Sequence, residues 1–222
     1  MRPLRVRAFL AFAALLAAAP AARAQATLGA RHDPASWGLT RFNLDTAHSS
    51  VNFRVRHLGI SWVHGQFKEY SLDLQYDPAS PERSSVTTRI RTASVDTRNE
   101  RRDADLRSPR FLASDSFPEM VFTSRSVERV APGRLRIHGD LTIKGVTRAV
   151  SLDCEVGGTF EAPRRGQGGA PAGTVRRVAF TATTTIDRTH WGLTFSPIAE
   201  GVRAAGDEVH ITIEVEATAT TG

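Results

Sequence analysis

Three of the chain's seven histidines, His48, His57 and His64, crowd into one short stretch. Zinc chemistry is the first use such a group suggests, since neutral imidazoles bind the metal when three or four ligands converge at about 2.0–2.3 Å. Strand parity argues against it. In SSVNFRVRH, Val51, Phe53, Val55 and His57 alternate with Asn52, Arg54 and Arg56, the period of two that a half-buried strand requires. His57 falls on the apolar face, His48 on the opposite parity, and His64 opposite to Val63 and Phe67. The three do not share a face, and the chain has neither an HExxH motif nor paired cysteine ligands. No metal site is expected.

Other reactive groups also favour structural readings. Asp103 and Asp105 in RRDADLRS have the carboxylates for acid–base work, but Arg101, Arg102 and Arg107 stand at helical spacings from them and predict a salt-bridged helix surface. Cys154, the single cysteine, lies in VSLDCEV on the face of Val150 and Leu152 and reads as a small buried apolar residue. There is no GxSxG elbow, and Lys144 sits at a turn between strands with no glycine-rich loop leading into a helix. No catalytic residue is assigned.

The elements that must position these residues are short and alternating. Besides the first strand, segments 63–76, 84–97, 119–130, 134–145, 147–160, 175–186 and 207–220 repeat the pattern, separated by turn residues such as Asp77-Pro78, Ala131-Pro132-Gly133 and Lys144-Gly145. Arg98–Leu112 breaks it. That segment predicts a short helix ending near Ser108, before Pro109, and lying across the outside or one mouth of the sheet on Leu106, Phe111 and Leu112. Residues 161–174, rich in Gly and Pro, read as a mobile hairpin loop. About eight antiparallel strands and one helix point to an all-β sandwich or an up-and-down barrel. Small Gly65, Thr88, Ala182 and Thr184 beside bulky Phe53, Phe67, Leu74 and Phe180 on the inner parity lean toward a cavity rather than a packed interior.

The N-terminus carries Arg2, Arg5 and Arg7, an apolar run to about Ala19 and an Ala22-Arg23-Ala24 cleavage pattern, which reads as a signal peptide over 1–24 and places the mature protein in the periplasm. Its removal lowers the formal charge from +6 to +2. The basic balance is therefore largely that of the leader, which weakens a nucleic-acid reading. Residues 25–38 read as a flexible tether, and 39–222 as one domain long enough for a substantial core without disulfides.

Three strings in order, HSSVNFRVRHLGISWVHGQF (48–67), SVDTRNERRDADLRSPRFLASDSFPEMVFTS (94–124) and GDLTIKGVTRAVSL (139–152), resemble the YceI-like family of exported, lipocalin-like proteins. The resemblance spans roughly Phe42 to Ala217. It implies an antiparallel eight-stranded barrel, extended relative to lipocalins, whose tunnel binds a polyisoprenoid lipid such as a polyprenyl quinone or its precursor. The chain departs from the family pattern at Asp105, where members often have His, at Arg110-Phe111-Leu112, where they have an acid-containing DFF, and in the 161–174 loop.

On parity, the residues expected to line such a tunnel are Val51, Phe53, Val55, Phe67, Leu72, Leu74, Ile90, Phe122, Ile137, Leu141, Ile143, Phe180, Ile211 and Ile213, with His57 as a polar contact at the mouth and Trp62 and Trp191 shielding it. The expected ligand is the isoprenoid lipid itself, with no further cofactor, no nucleic acid, a homodimer favoured by the resemblance, and transient contact with a membrane or membrane protein for lipid exchange. Two competing readings are a hydrolase or isomerase using His57 with an acid from the helix, and a stress-protective protein with a packed core.

Overall fold

The computed structural model describes residues 33–199 and 202–221; the leader expected at 1–24 lies outside them. In chain order the elements are β1 (Thr40–Leu44), β2 (Ser50–His57), β3 (Ser61–Phe67), β4 (Tyr70–Tyr76), β5 (Ser85–Arg91), β6 (Val95–Asp96), helix α1 (Glu100–Arg107), β7 (Glu119–Ala131), β8 (Arg134–Ile143), β9 (Val146–Arg165), β10 (Pro171–Asp187), the short pair β11 (Ile198–Ala199) and β12 (Val202–Arg203), and β13 (Ala205–Thr221).

Eight of these form an antiparallel ring in the order β1-β4-β5-β7-β8-β9-β10-β13, closed where β13 returns to β1 at Asn43↔Thr218 and Leu44↔Ala217. The expected all-β barrel with one short helix is thus the observed fold. Three staves are broken and continue as an upper tier. After a one-turn 3-10 helix at Thr46–His48, β2 follows β1 along β13, with Val51 opposite Ile213. β3 pairs with β2 just as β4 pairs with β1, at Val51↔Phe67 and Phe42↔Leu74. β6 continues β5 and meets β3 at Phe67↔Val95. Between β6 and β7 the upper wall is completed by α1 and residues 108–118.

Local chemistry explains these boundaries. Asn99 caps α1 by accepting from the Arg102 N–H at 3.0 Å, and Pro109 follows directly after its C-cap, Ser108. Lys144 and Gly145 have φ of +50° and +75° in the two-residue β8–β9 turn, the mirror-image geometry that matches the twist of antiparallel strands. Leu58 and Gly59 repeat that geometry at the tip of the β2–β3 hairpin. The segment after α1 is tied down at both ends: Lys144 Nζ donates to Pro109 O at 2.8 Å, and Thr92 Oγ1 donates to Phe117 O at 2.8 Å.

Two expectations are corrected. Residues 161–174 are mostly strand, since β9 runs to Arg165 and β10 begins at Pro171, with Glu161 opposite Arg176 and Pro163 opposite Thr174. A register shift between Pro171 and Thr174 lets the ladder absorb the prolines and glycines that make the stretch read as a loop. The tether assigned to 25–38 lies outside the described residues up to 32, but its end is anchored: Pro34–Trp37 forms a 3-10 turn capped by Asp33, and Trp37 is buried.

Candidate functional site

Period-two alternation sends every second side chain of the staves inward, and these side chains enclose a cavity of about 470 Å3. That is within the roughly 300–1,000 Å3 typical of small-molecule sites. All fifteen residues singled out from the sequence, Val51 to Ile213 with His57, stand on its wall. So do others of the same parity that were passed over, among them Leu135, Leu152 and Val215. Alternation was signal enough to find these. Leu193 and Phe195 also line it, but from an irregular segment where no periodicity marks them.

Two phenylalanines owe their positions to glycines. Phe53 lies across Gly65, where an added Cβ would fall 2.3 Å from the ring. Phe122 lies across Gly139, where a Cβ would meet the ring at 2.5 Å and the Thr123 carbonyl oxygen at 2.5 Å. Each glycine leaves a gap on the pleat that an aromatic ring on the neighbouring strand covers.

One end of the cavity is shut by aromatic packing. Trp37, Phe42, Tyr76 and Phe180 follow one another with centroid separations of 6.0, 6.5 and 5.0 Å. Trp37 Nε1 donates to Glu161 Oε2 at 2.6 Å, and the Arg176 guanidinium stands 5.2 Å from the indole. Cys154 lines the cavity, and burial pushes its thiol up to about 11, so it is neutral near pH 7.

The other end is built from α1, residues 108–118, residues 193–199 and 202–205, and the β2–β3 hairpin. Leu106, Phe111 and Leu112, the expected anchors of the helical segment, do line the cavity, and Phe111 meets Phe195 edge-on at 5.4 Å. Arg188 holds this region together from a buried position. Its Nε donates to Gly206 O, Nη1 to Leu193 O and Phe195 O, and Nη2 to Ala205 O and Asp207 Oδ1, which uses all five N–H groups. Burial pulls the Arg188 guanidinium below its ordinary value, opposed by the Asp207 carboxylate.

The polar groups at this end are mostly committed to structure. Arg102 donates to Thr97 Oγ1 and Thr97 O at 2.8 and 2.9 Å. The expected helix-surface pairing of the acids is replaced by another arrangement. Asp103 is buried and accepts from the Thr97 N–H at 2.9 Å, while Asp105 reaches Arg110 at 3.5 Å. His57 Nδ1 lies 2.8 Å from Ala204 O, so that nitrogen carries the proton and donates. Among the described residues His57 has no carboxylate at ion-pair distance, and the acid–histidine pair that the enzymatic reading needs is not assembled.

Neither tryptophan expected to shield the mouth does so. Trp191 is packed in the core and donates to Leu141 O at 3.1 Å, and Trp62 takes the outer parity of β3, next to Arg54, Arg56 and His210. His48 joins Asp45 and Glu216 in a group whose ligand atoms lie within 4.8 Å of one another. The cation there is already supplied by the protein: Arg177 Nη1 bonds Asp45 Oδ2 at 3.0 Å and also Glu216 Oε1. His48 and Arg177 together hold the Asp45 carboxyl below its usual value. The group fastens the break between β1 and β2 to β10 and β13.

The arrangement is thus a largely apolar chamber, shut at one end and polar at the other. Comparison with known proteins agrees with this construction. Residues 42–217 match the YceI-like domain. The chain is similar to Protein YceI of Salmonella arizonae, at 38% identity over 76% of this chain and 81% of that protein. Among solved structures it is similar to the YCEI protein of Campylobacter jejuni (33% identity, TM-score 0.60, covering 82% of this chain and 99% of that one). A polyisoprenoid binding domain from Saccharophagus degradans shares the fold at 14% identity, with a TM-score of 0.54 over 80% of this chain and 98% of that one. From its matched domain and this likeness to curated relatives, the chain belongs to the YceI-like family.

Proposed function

We propose that this protein is an exported binding protein that holds a polyisoprenoid lipid in its barrel without covalent chemistry. The observation that carries the reading is the cavity itself, about 470 Å3 with a wall of aliphatic and aromatic side chains drawn from the whole ring. A prenyl chain offers no hydrogen bonds, so it suits a chamber whose wall is mostly apolar, and each buried CH₂ contributes about 0.8 kcal/mol. Polar groups gathered at one end give a head group somewhere to sit. That a barrel of the same fold from Saccharophagus degradans is a polyisoprenoid binding domain supports the choice of ligand class. The leader pattern of residues 1–24 supports export to the periplasm.

The test is direct. Organic extracts of protein purified from a membrane-containing host should give a prenyl lipid by mass spectrometry, and polyprenyl quinone added to stripped protein should raise its melting temperature. Extracts at background level together with an unmoved melting temperature would sink the proposal.

A further inference from the structure

Several arginines on the outer wall share one habit. Arg41 faces Asp73, Arg89 faces Glu119, Arg125 faces Asp140 and Arg136 faces Asp153, each pair bridging neighbouring strands. Arg54 and Arg56 on β2 break the habit, having no carboxylate partner among the described residues. Their guanidinium groups instead stand 4.5 and 3.9 Å from the ring centroid of Trp62, across the strand on β3. His64 lies opposite Arg54 on one side and His210 on the other, and His210 meets Trp62 edge-on at 5.1 Å. Glu208 stands at the side of this row, 4.0 Å from His210.

Just beyond these cations is the turn Leu58-Gly59-Ile60. Ile60 is 80% exposed, far more than Leu39, Val130 or Phe160, the other large apolar residues left at the surface of the described chain. The turn geometry is firm, with Ile60 N–H donating to His57 O at 3.1 Å and Leu58 N–H to Ala204 O at 3.1 Å. An aliphatic tip, a tryptophan one step behind it and two uncompensated arginines flanking the indole are ordered as a bilayer interface is ordered: acyl chains, then the aromatic level, then phosphates. The hairpin also borders the polar end of the cavity, since Val55, His57, Val63 and Ala204 line it.

From this order we infer that the β2–β3 hairpin docks the polar end of the barrel on a bilayer bearing anionic phospholipids, with Ile60 entering the acyl boundary and Arg54 and Arg56 engaging phosphates. The inference deepens the lipid-binding reading by naming the surface through which a lipid would pass, and rests on that reading only for its purpose. Two juxtaposed guanidinium groups that no described carboxylate pairs attract the negative surface of such a membrane, while a neutral one gains only the small apolar tip.

Flotation of the purified protein with vesicles tests it, comparing pure phosphatidylcholine with phosphatidylcholine containing about one third phosphatidylglycerol. Binding should be confined to the anionic vesicles, fall as salt is raised, and weaken about fivefold for each of Arg54→Ala and Arg56→Ala. Ile60→Asp should abolish it. All three positions are exposed, and unchanged melting temperatures would confirm that the variants fold. Equal binding to neutral vesicles, binding untouched by these substitutions, or no binding at all would overturn the inference. Lipid content measured on the same samples separates the two proposals. Vesicle binding by protein that carries no prenyl lipid leaves the docking surface standing and removes the cargo, and prenyl-loaded protein that ignores vesicles does the reverse.

Discussion

The two ends of the barrel are finished with different chemistry. At the shut end Trp37, Phe42, Tyr76 and Phe180 fill the bore with contacting rings, and Phe42 is essentially inaccessible. At the polar end the described residues form no comparable plug. A short helix, an irregular segment and a hairpin are joined through one arginine that bonds four backbone carbonyls and a carboxylate. Apolar packing is distributed over many small contacts and yields little to a small displacement, whereas a clasp made of a few directional bonds can open locally while the ring stays intact. The difference teaches which end can admit a ligand without unfolding the barrel.

Substitutions can break or sharpen that contrast. The largest effect is expected for Phe42→Ala, about 4 kcal/mol of global stability by denaturant unfolding, because the ring is fully buried and the neighbouring rings cannot collapse into its place. Arg188→Leu should follow at about 3 kcal/mol, since it strands buried carbonyls and leaves Asp207 unpaired on that side. Its hydrogen exchange should rise specifically in residues 193–207 and not in β1 or β4. Equal protection loss at both ends would dissolve the distinction drawn here.

Smaller effects separate the wall from the polar end. Gly139→Ala should cost about 2–3 kcal/mol, because its methyl would meet the Thr123 backbone as well as the Phe122 ring. A methyl from Gly65→Ala has Phe53 ring atoms as its three nearest neighbours, so the ring should swing into the cavity at about 1 kcal/mol while prenyl-lipid capacity falls more than stability does. The smallest effect concerns acid. Asp45 is held below its ordinary value of about 3.9, so its contribution is present above that pH and is lost as pH falls through the lowered value. Asp45→Asn should lower the neutral plateau slightly, flatten the acid limb of stability against pH, and converge with the parent protein below the lowered value.

The barrel was legible in the sequence because antiparallel strands with one wet and one dry face alternate, as β2 does at Val51, Phe53 and Val55 and β13 at Ile211 and Ile213, although β1 was not among the segments read and 63–76 holds two strands, β3 and β4. The same rule put every predicted lining residue on the cavity wall. It failed where alternation carries no information. Pro163 and Gly173 masked the continuation of β9 and β10, whose pairing is fixed by partners rather than by composition. Trp37 lay in a stretch with no period, and its burial depends on the end of a barrel assembled from distant segments. Arg188 looks from the sequence like any surface arginine, and only the meeting of residues 193–195 with 205–207 gives it five acceptors. Trp62 and Trp191 were judged by type rather than by parity, and parity was the better guide for Trp62.

The closure of the ring between its first and last strands governs the order of events in the life of the chain. Asn43 and Leu44 cannot meet Thr218 and Ala217 until nearly the whole polypeptide is available, so the contact that seals the barrel is among the most distant in sequence and is expected to form late and slowly. A ribosome still holding the C-terminal residues therefore holds an open sheet rather than a finished barrel. For a chain proposed to cross a membrane before it works, such a delay would keep the precursor threadable until it has crossed.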